Sequence, residues 1–121
     1  MAIESKAMVS GWWRASASLT PDSPPIVITK GFTHIGKSLQ PTSVDATWHF
    51  SPAEGWVLAE AYVVGRLLRK DGMVGATEAL VRFEEGAQRP SFKHPLSDAP
   101  DYVQEWVRKQ AALLPELKVK A

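Results

Sequence analysis

A glutamate held among apolar strand residues is a candidate general acid or base, because such surroundings disfavour its charged form and raise its pKa. In this chain that residue is Glu60. With Asp71-Gly72 as a two-residue hairpin turn, Tyr62 pairs with Val81 and Val64 with Ala79, and Glu60 shares a face with Leu58, Tyr62, Val64, Val81 and Phe83. Arg66 falls on the same face. If the segment is instead a helix, Glu60 and Arg66 look outward and do no chemistry.

The other candidates are sparser. Three histidines, His34, His49 and His94, lie in separate segments, none with a second histidine at the spacing that a metal site on one element shows, so no metal is expected. Gly31 and Gly36-Lys37-Ser38 match the spacing of a phosphate-binding loop. That loop needs a following helix whose N-terminus holds the phosphates, and Gln40-Pro41 comes instead. With no nucleophile and base pair and no cofactor loop, an enzyme is the less favoured reading, and no cofactor is expected.

Aromatic residues carry the stronger signal. Trp12 and Trp13 are adjacent in a β-prone stretch, so the pleat sends them to opposite faces. One can serve the core, and the other must meet solvent, a ligand or a partner. With Arg14, Trp48 and His49 they are the expected partner- or ligand-binding residues, of the types enriched in binding hot spots. A second copy of the chain covering one sheet face would equally account for them. A third possibility, a weak nucleic-acid binder, draws on Trp12, Trp13, Arg14, Lys30 and Lys37.

The elements that position these residues follow from pattern and punctuation. Met8 to Leu19 reads as a strand ended by Thr20-Pro21-Asp22-Ser23-Pro24-Pro25, and a second strand starts at Ile26 and runs toward Phe32 and His34. Ser43 to Phe50 alternates, with Val44, Ala46, Trp48 and Phe50 on one face and Asp45, Thr47 and His49 on the other. From Pro52 to Lys70 two readings compete. Ser51-Pro52-Ala53-Glu54 fits a helix capping box, followed by Val57, Ala61, Val64 and Leu68 at helical spacing. Asp71-Gly72 fits a hairpin turn, and its good cross-strand pairs favour the hairpin, with Met73 to Glu84 as its second arm.

Ala87 to Pro100 holds three prolines and reads as an irregular connection. A helix follows, capped by Ser97 or Asp98 and closed by Pro115, with Tyr102, Val103, Trp106, Val107, Gln110, Leu113 and Leu114 as its apolar stripe. Burying Trp106 or Leu113 there is worth about 2 to 3 kcal/mol each. Glu116 to Ala121 reads as a frayed tail. The expected architecture is α+β: an antiparallel sheet of about five strands, packed against one C-terminal helix.

Composition sets the bounds. The chain has 121 residues, the size of one domain, with 14 Lys and Arg against 13 Asp and Glu and no cysteine. Near-zero net charge provides no global field toward nucleic acid or an anionic membrane. Met1 to Lys6 lacks the apolar run of a signal peptide, and Trp56 to Leu68 is interrupted by Glu60, Gly65 and Arg66 and is too short to span a bilayer. A cytoplasmic or other intracellular location without membrane insertion is expected.

One resemblance adds to this. Trp48-His49-Phe50, then Pro52-Ala53-Glu54-Gly55-Trp56, then the hairpin to Glu84-Glu85-Gly86 is similar in rhythm to the later strands of hotdog-fold thioesterases. It implies a curved sheet and a small-molecule binder or enzyme, although the long helix of those folds has no counterpart before Ser43. The reading carried forward is a non-enzymatic binding or assembly module that offers an aromatic-bearing sheet face to a protein partner or to another copy of itself.

Overall fold

The structure, a computed structural model, describes residues 3–9, 11–85 and 92–115, the first of these segments by its backbone alone. It is an α+β fold. Seven strands form one sheet among the described residues: β1 (Ile3–Val9), β2 (Trp12–Ser18), β3 (Ile26–Val27), β4 (Ser38–Ser51), β5 (Gly55–Leu68), β6 (Val74–Glu84) and β7 (His94–Pro95). Their order is β1-β2-β4-β5-β6-β7, with β3 beside the start of β4. All pairings are antiparallel except that of β6 with β7. A 3-10 turn (Leu96–Asp98) leads into helix α1 (Asp101–Ala111).

The first expected strand proves to be a hairpin. Val9 pairs with Trp12, and Gly11 takes the positive φ of 80° in the turn between β1 and β2. The Ile26 strand stops after two residues, because the chain turns back on itself: the Ile28 N–H donates to Lys37 O and the Gly36 N–H to Ile28 O. Ser38 then opens β4, so Gly36-Lys37-Ser38 leads into a strand and not a helix. Pro41 is tolerated within β4 because it lies between the stretch paired with β3 and the stretch paired with β2.

Between Ser51 and Leu68 the hairpin reading holds and the helix is overturned. The residues of the supposed capping box make the β4–β5 turn instead: the Glu54 N–H donates to Ser51 O at 3.2 Å and the Ala53 N–H to Ser51 Oγ at 3.3 Å. Ser and Pro suit a tight turn as well as they suit a helix start. The β5–β6 register, however, differs by one residue from a two-residue turn. The Arg69 N–H donates to Met73 O, leaving three residues in the loop, with Gly72 at φ 83°. A further irregularity between Arg66 and Leu68 then sets Tyr62 against Arg82 and Val63 against Val81. A one-residue slip reverses the faces of a strand, so Val81 and Phe83 lie in the core rather than beside Glu60. Leu58 joins them there, because Thr47 pairs with Glu60 and Trp48 with Leu58, which leaves Ala59 as a bulge.

The core lies between the sheet and α1. Ala15, Ala17, Val44, Ala46, Trp48, Ala61, Val63, Val81 and Phe83 from the strands form one cluster with Val103, Trp106 and Val107 of the helix. Two hydrogen bonds tie down this helix. Tyr102 Oη donates to Pro24 O at 3.0 Å, and Trp56 Nε1 donates to Pro115 O at 2.8 Å just beyond the C-terminal end. Neither Ser97 nor Asp98 caps α1: both belong to the 3-10 turn, and Pro100 is the residue before the helix. The helix ends at Ala111, four residues before Pro115, and Leu113 is 65% exposed rather than part of the buried stripe. The connection before the helix is less irregular than expected, since His94–Pro95 adds the parallel β7. Residues 86–91 and the expected tail, Glu116 to Ala121, lie outside the described residues.

His94 makes the stability of this fold pH-dependent. It is buried beside Phe83, with Nδ1 3.2 Å from Thr29 Oγ1, and burial pushes its pKa below the ordinary 6.5. A hydrogen bond with the Lys30 backbone and the charge of Asp98 favour the protonated ring and the Lys30 ammonium opposes it, but burial outweighs them. The folded state therefore prefers the neutral ring. The His94 contribution is complete above pH 6.5 and is lost as pH falls through that value toward the lower folded pKa. Thermal melts at about pH 8 and about pH 5.5, a unit or more either side of the ordinary histidine pKa of 6.5, should show a larger drop for the wild type than for His94→Gln. Equal drops would show that His94 does not carry the pH dependence.

Candidate functional site

Register decides which of the candidate residues meet. Trp13 pairs with Trp48, and both point to the face that α1 covers: Trp48 is buried and Trp13 packs against the core. Trp12 pairs with His49 on the opposite face, their ring centroids 4.6 Å apart and tilted by 54°. His49 in turn pairs with Val57, so Trp12, His49 and Val57 form a strip across β2, β4 and β5. Trp12 is 46% exposed and Val57 39%. The five expected binding residues thus divide, with Trp12, Arg14 and His49 on the uncovered face and Trp13 and Trp48 beneath it.

Next to the strip, Arg14 grips a carboxylate that sequence reasoning passed over. Its Nε lies 3.0 Å from both oxygens of Asp45, its Nη2 donates to Asp45 Oδ2 at 2.5 Å, and the same nitrogen reaches Tyr62 Oη at 3.3 Å. The Asp45 side chain is only 9% exposed, while that of Arg14 is 52% exposed. Hydrogen bonding to Asp45, and then its charge, raise the Arg14 pKa further above its ordinary value. Asp45 alternates onto the polar face in the sequence. Its pairing with a residue 31 positions earlier emerges only once β2 and β4 are aligned.

Glu60 stands among charges and not among apolar side chains. Arg82 Nη1 is 3.4 Å and Lys93 Nζ 3.9 Å from its Oε1, and Lys93 also lies 3.7 Å from Glu84 Oε2. Arg66, on the same face, is exposed and pairs across the strands with Glu78. Glu84 and Lys93 were not singled out from sequence, because they join Glu60 only through β6 and the segment before β7.

The residues weighed for nucleic-acid binding do not form one patch. Trp12 and Arg14 sit against the later half of β4, whereas Lys30 and Lys37 flank its start, on the order of ten residues and 30 Å along the strand. His34, in a loop with φ 63°, His49 on the uncovered face and buried His94 are likewise in separate places. Among the described residues no group of three or more His, Asp or Glu side chains is arranged to hold a metal ion, and no helix is long and apolar enough to cross a membrane. No family model matches the chain, and no curated protein or solved structure matches it.

Proposed function

We propose that the protein is a non-enzymatic binding module that associates with a second copy of itself through the uncovered sheet face at the β1–β2 flank. The observation that carries this reading is the strip of Trp12, His49 and Val57 on the face opposite the helix, with Trp12 and Val57 exposed and His49 half-buried between them. Exposed aromatic surface of this kind is where binding energy concentrates.

Two features favour another copy of the chain as the occupant. Among the described residues β1 ends the sheet, and an unpaired strand edge is a template for a further strand. The β1 sequence has Glu4 and Lys6 symmetric about Ser5, which makes it self-complementary in charge for an antiparallel copy, as a two-fold interface requires. Neighbouring charges are already paired within the chain, Arg14 with Asp45 and Glu60 with Arg82, so two such faces can approach without opposing like charges. Glu60 supports binding over acid-base chemistry, since its nearest charged partners are cations.

Light scattering on a size-exclusion column tests this. The expected mass is twice the 13.3 kDa of one chain. Trp12→Glu should give a monomer with an unchanged circular dichroism spectrum, while Met73→Glu, at the far hairpin tip, should remain dimeric. A monomer at every concentration of the wild-type protein would overturn the proposal.

A further inference from the structure

At the other end of the sheet, between the loop Lys30–His34 and the uncovered face of β5 and β6, lies a cleft of about 350 Å³. Its volume is within the range of small-molecule sites. Val64 and Leu80 provide an apolar floor, and Phe32 and Phe92 form one wall as a stacked pair, with centroids 4.9 Å apart and planes 26° from parallel. Phe32 is 83% exposed despite this stacking. A flat apolar molecule seated against it would remove that phenyl surface from water.

The charges around the cleft specify the sign of such a molecule. Lys30 lines it and makes no ion pair among the described residues. Arg82 also lines it, 3.4 Å from Glu60 and 5.9 Å from the Phe92 ring. The one carboxylate in the lining, Glu78, stands opposite Arg66 in the β5–β6 register. Over a wider area, residues 27–38 carry Lys30 and Lys37 with no acid, and residues 64–80 carry Arg66, Arg69 and Lys70 against Asp71 and Glu78. The local excess is positive, although the whole chain is near neutral.

We propose that this cleft binds a small organic anion with a flat apolar body, the phenyl pair and the Val64–Leu80 floor holding the body and Lys30 the anionic group. The site is remote from the Trp12 strip and does not depend on self-association.

A suitable probe is 1-anilinonaphthalene-8-sulfonate, titrated into the full chain and followed by fluorescence. Saturation at one probe per chain is expected. Lys30→Glu should weaken binding by about tenfold or more, as should replacing the probe with the uncharged N-phenyl-1-naphthylamine. Lys70→Glu makes the same change of charge in a different groove and should alter affinity by less than about twofold. Phe92→Ala should weaken binding of both probes. Thermal melts of each variant within about 2 °C of the wild type separate lost binding from lost folding, and Lys30→Met replaces Lys30→Glu if the latter melts early. Equal losses in the Lys30 and Lys70 variants, equal affinity for the charged and uncharged probes, or absence of saturable binding would overturn the proposal.

Discussion

Replacing Trp106 by alanine is expected to remove about 3 to 5 kcal/mol of stability, which is a large part of the 5 to 15 kcal/mol that a domain possesses. Trp106 is 4% exposed and belongs to the single cluster that joins α1 to the sheet. Its loss would leave a cavity at the centre of the only helix among the described residues, where Val103 and Val107 would be the remaining fully buried apolar side chains between helix and sheet. Urea denaturation followed by far-ultraviolet circular dichroism measures the effect. Leu113→Ala is the informative comparison: Leu113 is 65% exposed and should cost less than about 0.5 kcal/mol. Trp106 Nε1 is buried without an acceptor among the described residues, so Trp106→Phe removes an unsatisfied donor along with some volume and should be much milder than alanine. A loss below about 1 kcal/mol in Trp106→Ala would mean that the helix does not complete the core.

The second large effect is expected from adding a single methyl group. Gly65 lies near the end of β5, opposite Pro41 and Ala79, where the backbone of β4 comes close. A Cβ there would collide with the carbonyl oxygen of Gln40 and lie 2.7 Å from Leu39 Cδ2. The obstacle is backbone, which cannot rotate away as a long side chain does. Gly65→Ala should therefore destabilise by about 3 kcal/mol or more, at the upper end of the overpacking range. The same substitution at Gly72 meets no atom within 4 Å and imposes only the cost of the left-handed φ, about 1 to 2 kcal/mol. Thermal melts of the two variants should rank them in that order; the reverse order would show that the β4–β5 contact is looser than this geometry.

Much of the fold is legible in local chemistry. The alternation of Val44, Ala46 and Trp48 against Asp45, Thr47 and His49 specifies β4, and the helical repeat of Val103, Trp106, Val107 and Gln110 specifies α1. What resists reading is information held between segments. Ser51-Pro52-Ala53-Glu54 satisfies two local grammars, and only the pairing of Ser51 with Gly55 decides for the turn. The faces of β6 depend on whether two or three residues form a hairpin loop and on one irregularity near Gly75, neither of which has a distinctive sequence. That single step moved Val81 and Phe83 away from Glu60 and replaced an apolar site with a charged one. The opposed faces of Trp12 and Trp13 follow from the pleat, but that Trp12 meets His49 and Arg14 meets Asp45 requires the alignment of β2 with β4. The cleft beside Lys30 depends on four segments, which include Phe92 in a stretch without periodicity.

The place of α1 in the chain order has a consequence for synthesis. Ribosomes deliver β1 through β7 before Asp101, so strands whose partners are distant in sequence must pair, and one whole apolar face must wait uncovered, until the helix arrives. Nascent chains paused before Val103 would expose Val63, Val81, Phe83 and Trp48 together, the kind of surface that chaperones hold and that associates at high concentration. Refolding yield should therefore fall as protein concentration rises, and a peptide spanning the helix, added in trans to a chain lacking it, would compete with that loss.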